Sequence, residues 1–154
     1  MNSAHIGHLL ATNTFRQSKL VVPNVSYGFL PWESDVLVIN KDDSLSEVEI
    51  KISVADFRRD SKKQKWHSHG MQQEFKRLIT RFYYAMPIEI YERVKDEVPD
   101  FAGVIVVRDN RFNPTQTVKR ATSNRSCQKL SVEDQLKLAR LMCFRYWSNR
   151  KGDK

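Results

Sequence analysis

The sequence lacks most of the features that would place it outside an ordinary folded domain. It has only two cysteines, Cys127 and Cys143, with no C-x-x-C spacing, which argues against a disulfide framework and leaves free cytosolic thiols as the expectation. Five glycines and five prolines in 154 residues exclude a low-complexity or collagen-like chain, and no internal repeat is present. No apolar run approaches the roughly 20 residues that cross a bilayer. "MNSAHIGHLLATNTF" has neither a basic leader nor a continuous apolar stretch, so neither export nor membrane contact is expected. The phosphate-loop, nucleophile-elbow and dinucleotide fingerprints G-x-x-x-x-G-K-[ST], G-x-S-x-G and G-x-G-x-x-G are all missing. Acidic residues are also absent from the first 32 positions, Glu33 being the first carboxylate in the chain.

What is present reads as globular. With 40% hydrophobic and 10% aromatic residues, the chain is large enough for one core, and a single domain over 1–154 is expected, centred on about 20–120. Lys and Arg number 26 against 18 Asp and Glu, a net charge of +8, which puts polyanions high among candidate partners. The same charge also serves solubility.

Periodicity predicts a mixed α/β (α+β) order. An amphipathic helix is expected over about 3–18 from the spacing of Ile6, Leu9, Leu10 and Phe15. "KLVVPNVSYGFLPW" reads as an extended, Pro-interrupted edge strand or long turn. "DVLVIN" (35–40) and 46–53 read as a hairpin joined by "KDDS". Ser53 and Asp56 form an S-x-x-D capping box that starts a helix running to about Trp66, and "HSHG" breaks it before "QQEFKRLI" resumes. "RFYYAMP" is a strand ended by Pro87, "IEIYERVKDEV" a short helix, "FAGVIVV" a buried strand and "TQTVKRAT" a weaker one. A second box, Ser131 and Asp134, opens a final helix over about 131–149, with Leu136, Ala139, Cys143 and Trp147 as its apolar stripe.

Chemistry concentrates in "SEVEIKISVADFRRDSKK". Strand alternation sends Val48, Ile50 and Ile52 to the core and puts Glu47, Glu49, Lys51 and Ser53 on the other face. In the hairpin, Asp35 at the start of one strand approaches Glu49 and Lys51 at the end of its partner. Magnesium prefers one or two carboxylates with water and phosphate filling the remaining positions. Asp35 and Glu49 supply these, and the Ile50 backbone carbonyl offers a third oxygen. Lys51 stands where it can orient or deprotonate an attacking water or offset phosphate charge. Arg58, Arg59, Lys62, Lys63 and Lys65 on the following helix form a candidate groove for a nucleic-acid backbone, and Lys119, Arg120, Arg125 and Lys129 a second basic cluster. Taken singly, a Glu-x-Lys strand is an ordinary solvated face, and "FRRDSKKQK" a solvated helix with Asp56–Arg59 and Asp60–Lys63 pairs. The combination carries the reading.

These residues resemble the PD-(D/E)XK nuclease superfamily, whose motif is an Asp on one strand and Glu/Asp-x-Lys on the next, here Asp35, Glu49 and Lys51. "WESDVLVIN", "EVEIKISVADFRRDSKKQK", "FYYAMP" and "FAGVIVV" are similar to a group of small bacterial and bacteriophage nucleases related to MmcB-like DNA repair proteins. The resemblance spans about 20–120. It implies a restriction-endonuclease-like αβββαβ core with a mixed central sheet flanked by helices, Mg²⁺ or Mn²⁺ dependence, and DNA as substrate in phage DNA processing or repair. It also implies a bacterial or phage-infected host cytoplasm. Asp35 and Glu49 would be the metal ligands, Lys51 the catalytic lysine, and Glu33 an additional candidate ligand facing the same cavity. Two departures stand out. Many members bring an extra acid from the N-terminal helix, which this chain lacks, and Ser34 replaces the proline that often precedes the Asp.

The alternative is a nucleic-acid-binding accessory protein that keeps the fold as a scaffold without cleavage. A basic structural subunit ranks below both. Many restriction-like enzymes are homodimers, but no exposed stripe in this sequence demands one. "HIGH" (5–8) matches a short aminoacyl-tRNA synthetase signature but lacks the preceding strand and the chain length that chemistry needs. His67 and His69 have no carboxylate or thiol partners at metal-ligand spacing.

Overall fold

The computed structural model describes residues 1–26 and 28–150, so one residue of the "KLVVPNVSYGFLPW" stretch and the last four of the expected 1–154 domain lie outside it. Among the described residues, five α-helices flank a six-stranded sheet whose strands lie in chain order: β1 (Leu20–Val25), β2 (Ser34–Ile39), β3 (Leu45–Ile50), β4 (Ile79–Pro87), β5 (Gly103–Val107) and β6 (Thr115–Lys119). The first three strands and the last pair are antiparallel, while β3, β4 and β5 are mutually parallel. Parallel neighbours need crossovers, and the helices provide them. α2 (Val54–Asp60) and α3 (His69–Leu78) join β3 to β4, and α4 (Ile88–Val94) joins β4 to β5. The expected mixed sheet flanked by helices is therefore present, with the succession α1 (Ser3–Leu9), β1, β2, β3, α2, α3, β4 at its centre.

Pro23 sits in β1 because that strand is an edge and pairs only with β2, so no ladder bond is lost on its free side. α1 is shorter than its periodicity predicts: the chain widens into a π-helical turn at Leu10–Thr14, closed by Phe15 N–H donating to the Leu10 carbonyl. Ile6 and Leu10 nonetheless bury completely against Val36, Val48, Ile50 and Ala85 on one sheet face. The other face carries the larger core, with Leu37, Leu45, Phe82 and Tyr84 beneath α2 and α3.

Three expectations need correction. β3 is not half-exposed: all six of its residues are buried, because the face bearing Glu47 and Glu49 is covered by α2 and the segment after it. The strand ends at Ile50, and Ile52, expected in the core, is exposed. α5 (Val132–Asn149) buries Leu138 and partly buries Leu141 and Met142, not the expected stripe, so Leu136, Cys143 and Trp147 face outward with Val132 and Phe144. An exposed apolar stripe thus exists where none was expected. α5 touches the body mainly along β1, where Arg145 donates to the Pro23 carbonyl, and one contact line buries only one helix face.

Candidate functional site

The register pairs Val36 with Val48, which sets Asp35 beside Glu49 on the face under α2. Asp35 Oδ2 accepts the Ile50 N–H at 2.8 Å. Lys51 follows the last residue of β3, and its N–H donates to the Ala85 carbonyl of β4 at 2.9 Å, so the strand end is fixed from both sides. Ser53 then caps α2: its hydroxyl accepts from Asp56 N–H at 3.0 Å, and Asp56 reaches back to the Ile52 N–H at 3.4 Å. Helical spacing from that cap turns Phe57 and Asp60 inward together.

Asp35, Glu49, Ile50 and Lys51 line one cavity of about 420 Å³, together with Ser3, Asp56, Arg59, Asp60 and Lys63. The N-terminal helix contributes Ser3 to this lining and no acid. Glu33 is exposed and is not among the lining residues, so it does not join the carboxylates.

Three ammonium groups and three carboxylates interlock here, with Asp35 beside them. Lys51 Nζ lies 2.7 Å from Asp60 Oδ1 and 3.4 Å from Glu49 Oε2. Lys63 bridges Glu49 Oε2 at 2.6 Å and Asp60 Oδ1 at 2.9 Å. Lys65 donates to Glu49 Oε1 at 2.9 Å and to Glu47 Oε1 at 3.0 Å. Trp32 Nε1 also donates to Glu47, while Trp66 Nε1 and the Tyr84 hydroxyl donate to Asp60 Oδ2. Burial would raise Glu49, but the ammoniums of Lys65, Lys63 and Lys51 together hold it below the usual carboxylate range. Asp60 is likewise held low by Lys51 and by the Tyr84 hydrogen bond, against the effect of burial. Glu47 moves the other way: full burial outweighs Lys65 and raises it, and its Oε2 has no hydrogen-bond partner. Asp35 is pushed up to about 6, by burial first and by the neighbouring Glu49 charge second.

Carboxylate oxygens are the donor type that a hard divalent cation takes, and two of these side chains line the cavity. Asp35 and Glu49 are two carboxylates on one cavity wall, and a cation between them would relieve the smaller part of the Asp35 shift, the part due to the Glu49 charge and not to burial. No three His, Cys, Asp or Glu side chains among the described residues are placed to hold one metal ion, so water and phosphate would have to complete the shell. Lys63, whose side chain is 41% exposed, is the one ammonium on Glu49 free to swing away; Lys51 and Lys65 are buried.

The expected nucleic-acid contacts are dispersed. α2 ends at Asp60, not near Trp66, because Ser61 closes it and a 3₁₀ turn follows at Gln64–Trp66. Lys65 is consequently not an outward contact: it is 2% exposed, with its ammonium inside the cluster. Lys63 turns into the cavity. Arg58 forks onto Glu97 at 2.7 and 2.9 Å. Arg59, Lys62, Arg120 and Arg125 are exposed; Lys119 donates to the Pro99 carbonyl at 2.6 Å, and Lys129 pairs with Asp42. Both anticipated helix pairs form, Asp56–Arg59 at 3.8 Å and Asp60–Lys63 at 2.9 Å. Strand alternation in the sequence puts Glu47 on the face of Glu49 and Lys51 but gives no sign of Asp60, Tyr84 or Trp66 as parts of the cluster. Counting helical turns from the Ser53 cap points to Asp60; nothing local points to Tyr84, which arrives across the sheet from β4.

No family model matches this sequence, and no curated protein is significantly similar to it. A solved structure of a protein of unknown function from Silicibacter pomeroyi is similar over 96% of this chain and 92% of its own, at 20% identity with a TM-score of 0.60. That likeness concerns the fold.

Proposed function

We propose that this chain is a metal-dependent deoxyribonuclease that hydrolyses phosphodiester bonds. The observation that carries the reading is the sharing of one cavity by Asp35, Glu49, Ile50 and Lys51 at the open end of the β2–β3 hairpin, away from its turn. Asp35, Glu49 and the Ile50 carbonyl would hold Mg²⁺ or Mn²⁺. Such an ion polarises a phosphoryl oxygen and acidifies its bound water. Lys51, held by Asp60 and Glu49, offsets charge on the phosphate and orients the attacking water, while Asp60 keeps that ammonium in place. Arg59 at the cavity edge and exposed Lys62 beyond it supply contacts for the phosphate backbone.

Incubation with supercoiled, linear, single-stranded and branched DNA in Mg²⁺ or Mn²⁺ tests this directly. Cutting is expected, and failure to cut any of these with either metal overturns the reading. One observation favours a second reading, a non-cleaving nucleic-acid-binding scaffold: both Glu49 oxygens already receive ammonium groups. That reading predicts DNA affinity indifferent to metal and no cleavage.

A further inference from the structure

A second and larger cavity, of about 930 Å³, opens on the same side of the sheet, behind the Tyr84 and Trp66 rings. Its walls are aromatic: Phe57, Trp66, Phe75, Phe82, Tyr84 and Phe101. Edge-to-face contacts lock these rings, Trp66 to Phe82 at 5.2 Å and Phe82 to Tyr84 at 5.0 Å between centroids. Phe101 is 38% exposed, a large ring left partly in solvent. The volume falls within the range of small-molecule sites.

Charge narrows the occupant. The described lining holds four basic residues, Arg58, Lys65, Lys76 and Arg81, against one acid, Glu97. Arg58 is neutralised by Glu97, and Lys65 by Glu47 and Glu49. Lys76 is exposed and forms no ion pair among the described residues. The polar groups at this end bond one another: Asn124 donates to the carbonyls of Lys76 and Thr80, and Thr80 donates back to that of Asn124. The cavity therefore offers the partly exposed rings of Trp66, Phe75 and Phe101 and a positive edge, with few free groups to read a hydrogen-bonding pattern.

The geometry points to a binding site for one nucleotide, its base among the aromatic rings and its phosphate toward Lys76, with little preference among bases. The site rests on this cavity and not on the cleavage reading. Its occupant is either a free mononucleotide or an unstacked nucleotide of a single strand, the same chemistry from two sources.

Calorimetric titration of the full chain in EDTA, where no metal-dependent cleavage can occur, separates the two proposals. One arm uses adenosine 5′-monophosphate, the other a short single-stranded oligonucleotide, and ribose 5-phosphate is the control. Saturable binding in the first arm assigns a mononucleotide site, and binding in the second arm alone assigns a strand-held base. Phe101→Ala is expected to weaken binding by roughly 5- to 150-fold, the loss of one stacking contact. Lys76→Glu, an exposed change that folds as the parent does, is expected to weaken it as well. Absence of binding in both arms, equal affinity for ribose 5-phosphate, or parental affinity in either folded variant overturns the proposal.

Discussion

At the scale of single residues, Asp35 and Lys65 show how burial decides what a charge does. The Asp35 carboxyl ionises near 3.8 in an unfolded chain and near 6 in the fold. The folded state thus keeps the proton longer, and stability falls as pH rises from about 4 to 6. Asp35→Asn retains an oxygen for the Ile50 N–H. It is expected to stabilise the protein by about 1–3 kcal/mol above pH 7 and by little below pH 4, as read by urea unfolding at each pH. Stability gained with activity lost is the pattern of a functional carboxylate. Lys65→Ala should do the reverse, costing about 3–5 kcal/mol because Glu47 and Glu49 would stay buried with a partner removed. Lys51→Ala is expected to lower cleavage by about 100-fold or more in a gel assay while DNA binding persists. Asp35, Glu49 and Lys51 were legible in the sequence because a two-residue alternation and one hairpin suffice to gather them. The burial of Lys65 was not, since it depends on where α2 stops.

Elements set the positions of these groups. α2 has only seven residues, too few to be stable alone, so its Ser53 cap bears directly on where Asp60 sits. Ser53→Ala should cost about 1 kcal/mol in chemical denaturation. The parallel pair β4–β5 offers a second check. A Cβ at Gly103 would lie 2.5 Å from the Tyr83 ring and 2.7 Å from the Ala121 backbone nitrogen. Gly103→Ala is accordingly expected to destabilise by about 1–3 kcal/mol, lowering the thermal midpoint. Capping boxes, β-branched runs and the edge proline were readable because each acts within a few residues. The outward face of α5 was misread for the opposite reason: its periodicity fits more than one face, and packing along β1 chose the one with Leu138.

Across the whole molecule, the net charge of +8 should make DNA binding strongly dependent on salt. Neutralising three to five phosphates gives a slope of log K against log salt of roughly −3 to −4.5, measurable by fluorescence anisotropy in EDTA. A slope near zero would remove nucleic acid from the list of partners. No helix among the described residues is long and apolar enough to cross a membrane.

Alternation and capping are local physics, so the chain's own residue order specifies the mixed composition of helices and strands, the hairpin that brings position 35 to position 49, and the caps at Ser53 and Ser131. Tertiary packing alone covers the charged face of β3, places Lys65 inside that cover, and stands Tyr84 and Trp66 between the charge cluster and an aromatic cavity. Those outcomes depend on crossovers laying α2 and α3 over a sheet assembled from distant segments, and no window of sequence contains both partners of such a contact.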